Sequence, residues 1–250
     1  MHRRVRIVIH RPIRTNIRRA GSHWLLLAAM LCPALAAEAA DLGGAIAINS
    51  QLVDRGIAIT SRTPVVQGSV YWAPAAGWSL DLSAAVETRS PEQLLESGIA
   101  LSHHWTLSDR WQAQASLSYY RYRYAVDDRE WDVERTEASV GWTYRDMLTF
   151  SLSASRMPGS GRVYGAADVT MQHSLSEHFV LSGGLGIAQP PRFDDGQARS
   201  GHYRYGHAGL IWSRGSWSIE LDRVATSANV PRPWGGQRVS PWVATLSVAF

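Results

Sequence analysis

Apolar and polar positions alternate with a period of two along most of this chain. The pattern is cleanest in 239–250, where Trp242, Ala244, Leu246, Val248 and Phe250 share one parity and Val243, Thr245, Ser247 and Ala249 the other. Such alternation describes a strand with one oily face. Twelve runs of this kind are predicted, at about 43–54, 64–73, 77–88, 94–106, 110–124, 132–145, 147–157, 162–174, 178–189, 201–213, 216–227 and 239–250. Each is near the ~9–11 residues that a tilted strand needs to cross a bilayer. No stretch keeps a helical period, and none after the N-terminal region is long and apolar enough for a spanning helix.

One parity is oily throughout, with Ile46, Ile48 and Leu52 in the first run, Val70 and Trp72 in the second, and Leu80 and Leu82 in the third. A soluble sandwich would hide this face against a second sheet, whereas a membrane barrel shows it to lipid. The connections favour the barrel. Short ones (73–76, 106–109, 145–147, 174–177, 214–215) alternate with longer ones (55–63, 88–93, 125–131, 157–161, 189–200, 227–238). Short periplasmic turns and longer external loops are the habit of outer-membrane barrels. The expected fold is therefore all-β: a single antiparallel transmembrane β-barrel of about 12 strands.

The tryptophans sharpen that expectation. Trp72, Trp78, Trp105, Trp111, Trp142, Trp212 and Trp217 all have oily parity and lie within a few residues of short turns. Indole favours the membrane interface, so these side chains form a girdle at one depth, which Phe250 completes. Trp242 falls at the opposite, long-loop end. Arg121, Arg123, Arg156 and Arg223 have outward parity near the long loops, where guanidinium groups would meet lipopolysaccharide phosphates. Loop solubility is the alternative reason for them.

The other parity should line the interior. It carries Gln51, Gln67, Tyr71, Asp81, His104, Gln112, Gln114, Glu137, Asp168, Gln172, His207, Glu220 and Asp222. Charges in mid-strand are mostly carboxylates, and a hydrated acidic lumen favours cations. The alternative is that these acids pair with Arg135 and Arg162 and block the bore.

Charge has to be read after setting aside a leader. The whole chain is formally +4 with 25 basic residues, all of them arginine. Arg3, Arg4, Arg6, Arg11, Arg14, Arg18 and Arg19 precede an apolar run at 24–37, and Ala-x-Ala patterns follow. Residues 1–39 are expected to be a cleaved signal peptide, leaving 40–250 as the barrel. Removing seven arginines and Glu38 leaves 18 arginines against 20 acids, about −2, so nucleic-acid binding loses its support. The one cysteine, Cys32, leaves with the leader, so no disulfide or thiol chemistry is expected.

Residues 54–72 read Asp-Arg-Gly-Ile-Ala-Ile-Thr-Ser-Arg-Thr-Pro-Val-Val-Gln-Gly-Ser-Val-Tyr-Trp. The stretch resembles the first loop and second strand of the TorF-type proteobacterial porin family, known largely as uncharacterised outer-membrane proteins. Arg55, Gly56, Ile57, Thr60, Pro64, Gln67 and Gly68 match the family pattern, while Asp54, Ala58 and Ile59 depart from it. The resemblance implies a small outer-membrane barrel of porin type. On physical grounds Gly56 would allow a positive-φ turn as the strand leaves the membrane. Pro64 suits a strand's first residue, where a missing N–H costs little.

Other chemistry is sparse. His202 and Ser227, with Asn229 close by, are the only candidates for a lipid-cleaving site at the external rim. No His-x-x-x-His or Cys-x-x-Cys spacing occurs, and the acidic pairs at 127–128 and 194–195 read as solvated loop charges. No metal or cofactor is expected. The expected function is a narrow outer-membrane channel for passive diffusion of small hydrophilic solutes, not an enzyme. The loops 189–200 and 227–238 would tune it. The alternatives are an outer-leaflet lipid hydrolase and a plugged structural or surface-binding barrel. Partners would be outer-membrane lipids and lipopolysaccharide, the barrel-assembly machinery through the C-terminal strand, and small solutes.

Overall fold

The computed structural model describes residues 41–60, 62–74, 77–91, 94–126, 129–158, 161–190, 201–227 and 239–250. The predicted leader, the acidic pairs at 127–128 and 194–195, Asn229 and nearly all of the loops 189–200 and 227–238 lie outside the described residues.

The strands in chain order are β1 (Asp41–Asn49), β2 (Val53–Asp54), β3 (Ile57–Ala58), β4 (Val65–Ala73), β5 (Trp78–Glu87), β6 (Leu94–Thr106) and β7 (Trp111–Val126). They continue with β8 (Arg129–Tyr144), β9 (Leu148–Arg156), β10 (Val163–Ser174), β11 (Phe179–Ala188), β12 (Tyr203–Arg214), β13 (Trp217–Thr226) and β14 (Trp242–Ala249). Twelve of them form one closed antiparallel barrel, each paired with its chain neighbour, and β1 pairs with β14 to close it. The pair β2–β3 stands apart as a small two-stranded sheet.

At the seam, Ile46 lies opposite Val248 and Ile48 opposite Leu246, so the oily parities of first and last strands coincide. The Gly44 amide donates to the Phe250 carbonyl at 3.0 Å, and the Phe250 amide donates back at 2.9 Å. Gly44 is required here, because a Cβ would sit 2.7 Å from the Phe250 ring. A closed ladder leaves no edge strand and satisfies every strand's backbone within the sheet.

The outer surface is apolar. Ile46, Val70, Leu82, Leu101, Leu117, Leu152, Ile219 and Leu221 are all exposed, and so are Trp72, Trp78, Trp105, Trp111, Trp142 and Trp217. In water such a surface would be an aggregation liability; against lipid it is the stable arrangement. Trp212 is half-exposed, set between Phe179 and Ile219 on its neighbours. His103 also faces outward, its ring 4.6 Å from Trp78 and 4.5 Å from Trp105.

Two connections differ from the sequence reading. Residues 125–131, expected as a long loop, belong mostly to a 16-residue strand pair, β7 and β8, that continues past the level where its neighbours end. Cross-strand Tyr/Arg and Asp/Glu positions keep that pair in register, with Arg121 held by Asp132 and Glu134. The second difference is larger. The run 43–54 ends as a barrel strand at Asn49, and the following residues do not form an external loop. They turn into the barrel.

Candidate functional site: an inward hairpin and the lumen it crosses

Residues 50–60 form a hairpin inside the barrel, and 62–63 lead back to the wall. Its tip is Arg55–Gly56, with φ of 48° and 70°. Two successive positive φ values are what a tight two-residue hairpin demands, and glycine supplies one without strain. The positive φ expected at Gly56 is therefore present, but at a hairpin tip within the lumen rather than where a strand leaves the membrane. The base is held by Ile59 N–H donating to Leu52 O at 2.8 Å, and by the Leu52 amide donating to Thr60 Oγ1 at 3.0 Å. Gln51 donates from Nε2 to Thr60 O at 3.0 Å, and its Oε1 accepts from the Ser240 amide at 2.7 Å. Gln51 is thus part of the hairpin's base and not of a strand wall.

Apolar burial explains the inward fold. Leu52, Ile57, Ala58, Ile59 and Val65 are each at most 9% exposed. They share a core with Tyr120, Tyr122, Tyr203 and Tyr205 from the barrel wall. Burying each large aliphatic side chain contributes roughly 1.5–3 kcal/mol. Leu52, read from parity as lipid-facing, is packed in this core instead. Ala58 and Ile59, which break the family pattern, are 2% and 3% exposed, so these two departures fall on the hairpin's packed face, while the third, Asp54, meets Arg135.

Charge fixes the tip. Arg55 grips Glu137 on β8 with two bonds, Nη1 to Oε2 at 2.9 Å and Nη2 to Oε1 at 2.6 Å, and reaches Ser153 Oγ on β9 at 2.9 Å. Arg135 donates to Asp54 at 2.8 Å, lies 3.7 Å from Glu137, and covers the Tyr120 ring at 4.4 Å. Two cations and two anions balance, at side-chain exposures of 8–16%. Gly56 meets the far wall. A Cβ there would sit 2.5 Å from Thr226 Oγ1 and 2.6 Å from Tyr205, and Thr226 Oγ1 donates to Gly56 O at 2.7 Å. The hairpin therefore spans the bore from β1 and β4 to β8–β9 and β12–β13. Beside it, against Tyr164, Ala188 and Tyr203, remains a crevice of about 40 Å³. That is room for a few waters.

Pro64 and Gln67 carry the chain back into the wall. Pro64 O accepts from the Thr88 amide at 3.0 Å, just before β4 begins. Gln67 accepts from Asn49 at 3.3 Å and donates to Glu96 at 3.5 Å, directly under the hairpin. Gly68 has open space around its Cβ position, so no close packing demands glycine there.

From the hairpin towards the short turns the interior is polar, and among the described residues no cluster of large buried apolar side chains occupies it. The register sets Tyr71 opposite Asp81, Gln114 opposite Gly141, and Asp168 opposite Gly186. Glycines make seats for large neighbours. A Cβ would strike the Tyr71 ring at Gly43, the His207 ring at Gly184, the Tyr205 ring at Gly186 and the Asp222 carboxylate at Gly209. Each seat lets a side chain lie flat along the wall instead of crossing the bore. Tyr205 also hydrogen-bonds Asp168, and Gln112 donates to Asp146 at 2.9 Å. His104, Gln172, Glu220 and Asp222 share this inward face. Among the described residues, Asp81, Asp168, Glu220 and Asp222 have no arginine within ion-pair distance.

The external-rim pair expected for hydrolysis is not assembled among the described residues. Ser227 Oγ accepts from the Arg204 amide at 3.1 Å, and no hydrogen bond joins Ser227 to His202. Sequence reasoning missed the inward hairpin altogether and also passed over Arg204, an outward arginine whose parity was visible.

No protein-family model matches this sequence, and no curated protein does. Solved structures do. The barrel is similar to the NanC porin, with a TM-score of 0.52 at 8% identity, covering 84% of this chain and 99% of that one. It is also similar to the KdgM porin, with a TM-score of 0.49 at 7% identity, covering 83% of this chain and 98% of that one. The likeness is one of fold.

Proposed function

We propose that the chain is an outer-membrane, porin-like channel for small hydrophilic solutes, with hairpin 50–60 setting its exclusion limit. The observation that carries this reading is a polar bore whose side chains lie flat on glycine seats and which is narrowed at one level by a packed hairpin. The apolar belt supports membrane insertion, and the porin-like fold supports the outer membrane of a Gram-negative cell. Residues 1–39 would be the export signal and 40–250 the mature barrel. In this reading the segment resembling the TorF-type family is the constriction and its return strand, which gives the motif a job in the pore. The C-terminal strand would be the handle for the barrel-assembly machinery.

A modest cation preference fits the same picture. Arg55 and Arg135 are neutralised by Glu137 and Asp54, which leaves the carboxylates near the short turns to set the lumen's potential. A second reading, a plugged barrel with a structural or binding role, is favoured by the aliphatic and tyrosine core around the hairpin. A lipid hydrolase draws no support from the His202 and Ser227 geometry.

Planar-bilayer recording of the full barrel decides between channel and plug. Small, discrete, ohmic openings are expected, with cations favoured in a salt gradient. A correctly inserted barrel that stays silent would leave the plugged reading standing and remove the channel.

A further inference from the structure

One patch of the outer wall, away from the lumen, combines unpaired charge with an apolar groove. On β12 and β13, Gly206 lies opposite Ala225 and Ala208 opposite Arg223. Arg204 lies beside Ser227, whose amide donates to Arg204 O at 2.9 Å. Arg204 and Arg223 are both exposed on the lipid-facing parity, at the long-loop end. Arg223 covers the Trp242 ring at 5.5 Å. Among the described residues neither guanidinium has a carboxylate partner, whereas Arg121 on the same rim is taken by Asp132 and Glu134. Each of the two arginines is two positions along its strand from the Gly206–Ala225 pair, about 7 Å. That distance is within reach of an arginine side chain, so both can meet above this small-residue floor once the Arg223 guanidinium swings from the Trp242 ring on β14 towards β12.

A second feature adjoins them. The outer wall carries a groove of about 450 Å³ lined by Trp142, Leu152, Ala167, Val169, Leu185 and Ile187. Leu185 and Ile187 are the β11 partners of Gly206 and Arg204. The groove therefore runs up to the foot of the guanidinium pair. Near the interface an arginine on a barrel's lipid face costs little, because its guanidinium snorkels to the headgroups, where phosphate is the available anion. A planar guanidinium binds phosphate through two parallel bonds. We infer that this patch binds a phosphorylated lipid of the outer leaflet, its phosphate between Arg204 and Arg223 above Gly206–Ala225 and an acyl chain in the groove. The inference goes beyond the channel reading and shares with it only the membrane orientation.

The test is lipid binding by the full barrel in detergent, followed by native mass spectrometry and titration with diphosphorylated lipid A. One lipid A per barrel is expected. Affinity should fall at least about tenfold in Arg204→Ala/Arg223→Ala, the loss of a charge-assisted contact. Ala225→Leu, which keeps both charges but fills the seat, should lose binding similarly while migrating as a folded, heat-modifiable barrel. Dephosphorylated lipid A and phosphatidylglycerol should bind weakly. Equal binding by the double variant, by Ala225→Leu, by dephosphorylated lipid A or by phosphatidylglycerol overturns the site. Because no current is measured, a barrel that binds lipid A but never conducts would keep this inference and lose the channel.

Discussion

The two halves of the bore are built on opposite principles. Near the long loops, the interior is a small protein core: aliphatic residues of the hairpin pack on tyrosines, and every one of four ionised groups is matched. Near the short turns, the same strands present Ser, Gln, His and carboxylates on glycine seats, with no such core among the described residues. One sheet thus serves as a scaffold above and as a wetted pipe below. If the proposed channel reading holds, control of passage falls to the upper half and charge preference to the lower. Tyr205 joins the two, packing against Gly56 above and hydrogen-bonding Asp168 below.

The largest effect should come from removing the hairpin. Replacing 51–63 by a short Gly/Ser link between β1 and β4 should leave the barrel ladder closed while opening the bore. Single-channel conductance is expected to rise severalfold, with larger sugars entering proteoliposomes. An unchanged conductance would mean that solutes never cross the hairpin's level through the bore. Breaking one charge comes next. Glu137→Ala strands Arg55 in a buried setting and leaves Arg135 with Asp54 alone, and loss of one partner from such a pair typically costs about 3–5 kcal/mol. The expected readout is noisy, larger openings and protease access to 50–63. Arg55→Met with Glu137→Leu should restore quiet, small openings, because an apolar pair of similar size can replace a buried ion pair.

The glycine seats offer a reciprocal test in the lower half. Gly209→Val places a side chain where the Asp222 carboxylate already lies. Asp222 must then swing into the bore, and the Leu221 carbonyl, 2.7 Å from the new Cβ, must shift as well. Overpacking of this kind costs about 1–3 kcal/mol. Conductance should fall modestly, and the thermal midpoint with it, while the protease sensitivity of the hairpin stays as in the parent. A variant that loosens the hairpin instead would show that the halves are coupled.

How far the sequence revealed this division differs sharply between the halves. Strand positions and the lipid face were legible because a barrel wall has a strict period of two. A residue such as Leu117 or Leu152 can only face lipid or lumen. The hairpin was not legible, because Leu52 keeps the same parity whether its strand continues or turns inward, and parity says nothing about which loops fold back. A trace was present all the same. Ile57, Ala58 and Ile59 are three successive apolar residues beside a positive-φ glycine, an arrangement ill suited to an external loop. Arg55 and Glu137, 82 positions apart, could not be paired by any local pattern. The glycine seats were equally hidden, since a lumen glycine and its covering ring lie on different strands.

The smallest predicted effect tests the lower half's charge alone. Asp81→Asn, Glu220→Gln and Asp222→Asn together remove three carboxylates without changing side-chain size. None of the three touches the hairpin's ion pairs among the described residues. Single-channel conductance should change little, because the constriction dominates resistance. The reversal potential in a salt gradient should move towards zero, as cation preference weakens. The shift should shrink further at high salt, where charges lining an aqueous bore are screened over a few ångströms. If selectivity were instead unchanged while Glu137→Gln abolished it, the charge filter would sit at the hairpin. The separation between a sieving upper half and a charged lower half would then fail.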